Sequence, residues 1–208
     1  MKHLSLWLSF ALWLVMGATA WAETYQAGAH YTVVQSPIST SAPGKIEVVE
    51  FFDYGSGHSF LLQPQIQTWQ QSLADDVVFR KVPAQWTPQM QSRARMFYTA
   101  EALNLGDLNN AIFAAMHRDR KQLIADGEVA DFFINHGADQ TSIRGARSSF
   151  AVSAQLNKAA SLVRSAGIRG VPAMMVNGKY LVSPTSTISH PVMLQIVDFL
   201  INKERNAQ

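Results

Sequence analysis

The sequence predicts an α/β fold with a long helical stretch set into it, and three observations carry this. First, an apolar, β-prone run (Ile46 to Phe52) passes through a short polar tetrad into a helix-like segment. A second apolar run follows at Val77 to Val82, which completes a βαβ unit. Second, strand alternation is absent from about Pro88 to Leu162. Third, an Asn177-Gly178 turn signal joins two short β-prone runs, and an amphipathic helix closes the chain.

Taken in order, Tyr31 to Val34 reads as an edge strand, followed by loop signals at Ser36-Pro37 and Ser39 to Pro43. Ile46 to Phe52 is the first central strand, and its largely apolar character suits burial on both faces. The helix after the tetrad reaches about Ser72. It places Phe60, Leu61, Ile66, Trp69 and Leu73 at helical spacing, with Ser56 as its N-cap. Pro64 inside it removes one backbone bond and predicts a kink. Asp75-Asp76 turns the chain into Val77 to Val82, which Pro83 stops.

Helices are then predicted at Arg93 to Leu103, Leu108 to His117, Glu128 to Asn135 and Ile143 to Leu162. Val171 to Val176 and Lys179 to Val182 form a hairpin about the Asn-Gly turn. The closing helix, Pro191 to Lys203, carries Met193, Leu194, Ile196, Val197, Leu200 and Ile201 on its apolar face.

The N-terminus has the form of a secretory signal peptide. Lys2 and His3 give a basic start, Leu4 to Met16 is mostly apolar, and Ala20-Trp21-Ala22 is an A-x-A cleavage site before Glu23. The apolar core is short for a membrane span and ends in small residues, so the mature protein is expected to be exported and not embedded in a membrane. The formal net charge of the 208-residue chain is only +2, and Lys2 leaves with the signal. That near balance gives no electrostatic case for nucleic acid as a partner. The chain contains no cysteine, which excludes a disulfide framework, a redox dithiol and thiolate metal sites together. His30, His117, His136 and His190 are scattered singly, so no metal site and no cofactor are expected.

The segment Glu50-Phe51-Phe52-Asp53-Tyr54-Gly55-Ser56-Gly57-His58-Ser59 resembles the active-site motif of the DsbA family, E-F-F-x-x-x-C-P-H-C. Arg169 to Tyr180, with Val171-Pro172 at its start, is similar to that family's cis-proline strand and hairpin. The likeness extends from about Tyr25 to Glu204. It implies a thioredoxin-like fold, formed by residues 23–87 and 165–208, with residues 88–164 as a helical insertion and 1–22 as the signal. It also implies a periplasmic location, which suggests unfolded or partner polypeptides as the molecules bound. Both cysteine positions of the motif are serine here.

That departure decides the chemistry to be expected. Thiol–disulfide exchange needs a thiolate, and a serine hydroxyl cannot store an electron pair as S–S. Ser56, Gly57, His58 and Ser59 are therefore expected to form a degenerate site, with Ser56 serving as a helix cap. A Ser-His hydrolase is the remote alternative: neither serine sits in a G-x-S-x-G elbow, and Gly55 and Gly57 make the loop read as permissive. A second alternative is a cysteine-to-serine variant of an active oxidoreductase, against which Gly57 counts, because inactivation alone would leave the intervening dipeptide untouched.

Glu50 in an apolar strand is costly unless paired, and Lys81 alternates with Val77 and Phe79 toward the same interior. A cross-strand pair would resolve both costs. The resemblance gives this pair a role in cysteine proton transfer, a duty that is missing when the cysteines are. Val171-Pro172 is expected to offer main-chain groups to an extended peptide, which needs no cysteine.

Overall fold

A computed structural model describes residues 25–207. The predicted signal segment lies outside the described residues. Five strands form one mixed sheet: β1 (Thr32–Val33), β2 (Ile46–Phe52), β3 (Val77–Pro83), β4 (Ala173–Val176) and β5 (Tyr180–Val182), in the order β1-β5-β4-β2-β3. β2 and β3 run parallel, and every other neighbouring pair is antiparallel. Helix α1 (Gly57–Gln71) connects β2 to β3. Between β3 and β4 come α2 (Pro88–Ala102), a 3-10 turn (Gly106–Leu108), α3 (Asn109–His117), α4 (Asp126–Ile134), α5 (Gln140–Ser148) and α6 (Phe150–Ser165). Helix α7 (His190–Arg205) follows the β4–β5 hairpin.

The strand period of two sorts the core. Ile46 and Val48 of β2, with Met174 and Val176 of β4, face Leu62, Ile66 and Trp69 of α1 and the apolar stripe of α7. Val49 and Phe51, with Ala173 and Met175, face the other way, onto Met90 of α2 and Ala159 and Val163 of α6. All seven residues of β2 are buried, as its apolar run requires. Each large apolar side chain withdrawn this way contributes about 1.5–3 kcal/mol before entropy is counted. A third cluster forms where the chain leaves β2: Phe52 and Tyr54 are enclosed by Phe97, Ile112, Phe113, Val129 and Phe133 of α2, α3 and α4. The loop between β2 and α1 is thereby anchored in the helical region as well as in the sheet.

Four local expectations are corrected. The edge strand shrinks to Thr32–Val33, which pairs with Tyr180 and Leu181. The first strand of the hairpin starts at Ala173 rather than Val171. The helix expected over Ile143 to Leu162 is two helices. Ser149 adopts an extended ψ of 151°, ends α5, and caps α6 by accepting the Val152 N–H at 3.1 Å. Finally, Leu61 is exposed while Leu62 is buried. The buried stripe of α1 is Ser59, Leu62, Gln63, Ile66 and Trp69. Two of its members are polar, which is why a purely apolar periodicity sets the helix face one residue off. Pro64 lies inside α1, which continues through it to Gln71.

Candidate functional site

The loop from β2 to α1 is held from several sides. Asp53 is buried, and its carboxylate accepts both the Nε–H and an Nη2–H of Arg93 on α2, at 2.8 and 2.9 Å. A paired, parallel geometry of this kind makes a strong and orienting contact. The Arg93 guanidinium runs directly beneath Gly55, where an added Cβ would approach it to 2.8 Å. A larger residue at 55 would have to push the Arg93 guanidinium aside, against its two bonds to Asp53. Asp53 O also accepts from Ser56 N at 3.0 Å. On the other side, Tyr54 O and His117 Nε2 of α3 lie 2.8 Å apart, so the imidazole carries its proton on Nε2. The same ring stacks on Phe60, with centroids 4.7 Å apart.

Ser56 caps α1: its Oγ accepts the Ser59 N–H at 3.2 Å, satisfying one of the orphan donors of the first turn. The hydroxyl also donates to Val171 O at 3.4 Å, immediately before the cis Val171–Pro172 bond. The Ser56 side chain thus joins the two segments that the sequence singled out. Gly57 and His58 are exposed. The His58 ring meets that of His190, the first residue of α7, edge to face at 6.0 Å. Burial, and then the neighbouring His58, holds the His190 imidazole below the usual histidine range. Among the described residues no hydrogen bond links His58 to either serine, and Asp53 is committed to Arg93. The base and its orienting carboxylate, which a serine hydrolase needs, are not assembled.

Ser59 is fully buried, and its Oγ has no hydrogen-bond partner. Beneath it lies a charged network that sequence reasoning caught only in part. Glu50 and Lys81 are register partners in the parallel β2–β3 ladder and form an ion pair, with Glu50 inaccessible to solvent. Gln63, one helical turn after Ser59, completes the set. Its amide N–H groups donate to Glu50 Oε1 and to Ser59 O, each at 2.9 Å, and its Oε1 accepts from Lys81 Nζ at 2.7 Å and from Asn109 at 3.3 Å. The Lys81 ammonium also lies over the Phe52 ring at 5.5 Å. Gln63 was missed because nothing local marks it. The only available signal was its i, i+4 spacing from Ser59, read as one face of the helix.

A groove of about 1050 Å³ runs beside the loop, with Val33, His58, Arg169, Val171, Pro172 and Leu181 among its walls. His58, Val171 and Pro172 therefore line one surface together with residues of β5 and the edge strand. Ser59, Glu50 and Lys81 are not part of its wall. Among the described residues no group of three or more His, Asp or Glu side chains could hold a metal ion, and no helix is long and apolar enough to cross a membrane.

Comparison with known proteins places this arrangement. The family model for the DSBA-like thioredoxin domain matches residues 47–190. The thiol:disulfide interchange protein DsbA of Pseudomonas aeruginosa is 38% identical over 208 residues, spanning 100% of this chain and 99% of the relative. That of Azotobacter vinelandii is 39% identical over 182 residues, 87% and 85% of the two chains. The crystal structure of P. aeruginosa DsbA superimposes with a TM-score of 0.85 at 38% identity, covering 89% of this chain and 97% of the other. The oxidoreductase DsbA from Xylella fastidiosa gives a TM-score of 0.82 at 26% identity, covering 88% and 98%. With the sheet order, the loop preceding α1 and the segment at Pro172 on the page, the chain belongs to the DSBA-like thioredoxin domain family.

Proposed function

We propose that this protein is a thiol:disulfide interchange homologue that acts in the periplasm by non-covalent binding of extended polypeptides and performs no dithiol exchange. The single observation that supports this best is the groove beside the loop, whose wall includes His58, Val171 and Pro172. Such a surface can pair main chain to main chain and seat alternate side chains, and neither contact uses sulfur. The absence of any cysteine removes the thiolate that exchange requires. The N-terminal segment supplies export under this reading, and unfolded or partner polypeptides are the clients.

The test is an NMR titration of the mature protein with an extended, cysteine-free peptide. Shifts confined to residues 56–59 and 171–172, saturating near a Kd of about 1 mM or tighter, are the expected result. A cysteine-free peptide that leaves these resonances unmoved, where a cysteine-containing one moves them, overturns non-covalent recognition.

One observation favours a second reading, a cysteine-to-serine variant of an active oxidoreductase. A buried hydroxyl without a partner is costly, whereas a buried thiol, a weak donor, tolerates the same pocket. Ser59 Oγ is in that position. On this reading Ser56→Cys with Ser59→Cys restores a disulfide at 56–59, which oxidises a substrate dithiol to a disulfide while being reduced to two thiols itself. Recovery is read as oxidation of a dithiol peptide by the preoxidised double variant, one equivalent per protein in the absence of a reoxidant. No oxidation by a variant shown to hold its 56–59 disulfide overturns this second reading.

A further inference from the structure

A cavity of about 690 Å³ lies away from the catalytic-type loop, between α2, α4 and α5. Three arginines, Arg95, Arg144 and Arg147, line it with a single carboxylate, Asp126. Arg95 spends one N–H on Arg147 O at 3.1 Å and, like Arg144, forms no ion pair among the described residues. Arg147 is mostly buried. Its Nε and Nη2 both donate to Asp126 Oδ1, at 3.0 and 2.6 Å, while its Nη1 has neither a partner nor exposure to solvent. The N-terminus of α4 opens on the same space through Asp126 and Gly127, and no side chain caps it. Its first turn also carries Glu128, whose carboxylate accepts the Ile124 N–H at 3.3 Å outside the cavity wall, so the cationic element of the cavity is the arginine cluster.

We infer that this cavity is a binding site for a small oxyanion, a dicarboxylate or a phosphate. The surplus of cationic donors is the basis: three guanidinium groups line the cavity with one carboxylate, Asp126. Asp126 itself shows the mode of binding. Its side chain is 87% exposed, so it can swing into solvent, and it occupies Arg147 as a tethered carboxylate that a free anion would displace. Arginine suits this chemistry because its planar fork matches carboxylate and phosphate oxygens. The volume is that of a small-molecule site, and Ile143 on its wall gives the carbon skeleton of an organic acid an apolar contact.

The experiment is an amide NMR titration of the mature protein with sodium succinate and with sodium phosphate, each against sodium chloride at matched ionic strength. Saturable shifts at residues 126–130 and 143–148 are expected with at least one of the two, and the tighter arm identifies the source of the oxyanion. Arg144→Ala, at an exposed position, should weaken that binding about tenfold. Asp126→Asn should tighten it, because the competing carboxylate is gone. Shifts that never saturate, or that chloride reproduces, overturn the site. So does a failure of Asp126→Asn to tighten binding, since a purely structural Asp126–Arg147 clamp would lose affinity along with the clamp.

Discussion

Lys81→Ala is expected to lower the unfolding free energy by about 3–5 kcal/mol, the range for removing one partner of a buried ion pair. Glu50 is inaccessible to solvent, and Lys81 is its only cationic partner among the described residues. Removing the ammonium leaves a carboxylate in an apolar strand with, among the described residues, a single remaining donor, Gln63 Nε2. The Lys81 side chain is 17% exposed, so water reaches the gap and sets the loss toward the lower end. Replacing both partners, Glu50→Leu with Lys81→Met, should recover most of the stability, because no unpaired charge remains. Gln63 keeps Ser59 O and Asn109 as partners in that double variant. Urea unfolding of Glu50→Leu, Lys81→Met and the double variant measures the coupling. A Lys81→Ala loss below about 1 kcal/mol would mean that the pair is solvated like a surface pair and that the network contributes little.

This network also shows what the sequence can and cannot convey. The alternation of Val77, Phe79 and Lys81 places the lysine on the face of Glu50, and the β2–β3 register then pairs them. Ser56 as a helix cap was equally legible, since a hydroxyl directly before a helical run is a local signal. The ends of β2 and the Asn177-Gly178 turn follow from strand period and turn chemistry, which also act within a few residues. Gln63, the Asp53–Arg93 clamp and the unpartnered Ser59 hydroxyl were not legible. Asp53 and Arg93 are 40 positions apart, and polar pairing across that distance has no period to read. The α5–α6 break depended on one serine in a run of helix-compatible residues, where local preference is nearly balanced and Ser149 decides by capping.

Gly178→Ala is the second large effect expected, about 2–5 kcal/mol, because two costs add. The residue sits at φ +65°, a left-handed conformation that alanine adopts only with strain. A Cβ built there would also lie 1.9 Å from Ile38 O, a backbone atom that no rotamer change can move away. The lead-in segment passes this close because it is strapped to the hairpin: Ile38 N donates to Gly178 O at 3.0 Å, and Val34 N to Lys179 O at 2.8 Å. Gly44 provides the control. It has a similar φ of +77° with nothing within 4 Å of a built Cβ, so Gly44→Ala carries the conformational cost alone, about 1–2 kcal/mol. The difference between the two variants isolates the strap. Hydrogen exchange locates it: in Gly178→Ala the Ile38 amide should lose protection while the β2–β4 ladder retains it. Because Val33 lines the groove beside Pro172 and is paired through the same strap, this variant should also weaken peptide binding there. Equal losses in the two glycine variants would mean that the lead-in yields freely, and the edge strand would then be a mobile wall of the groove rather than a fixed one.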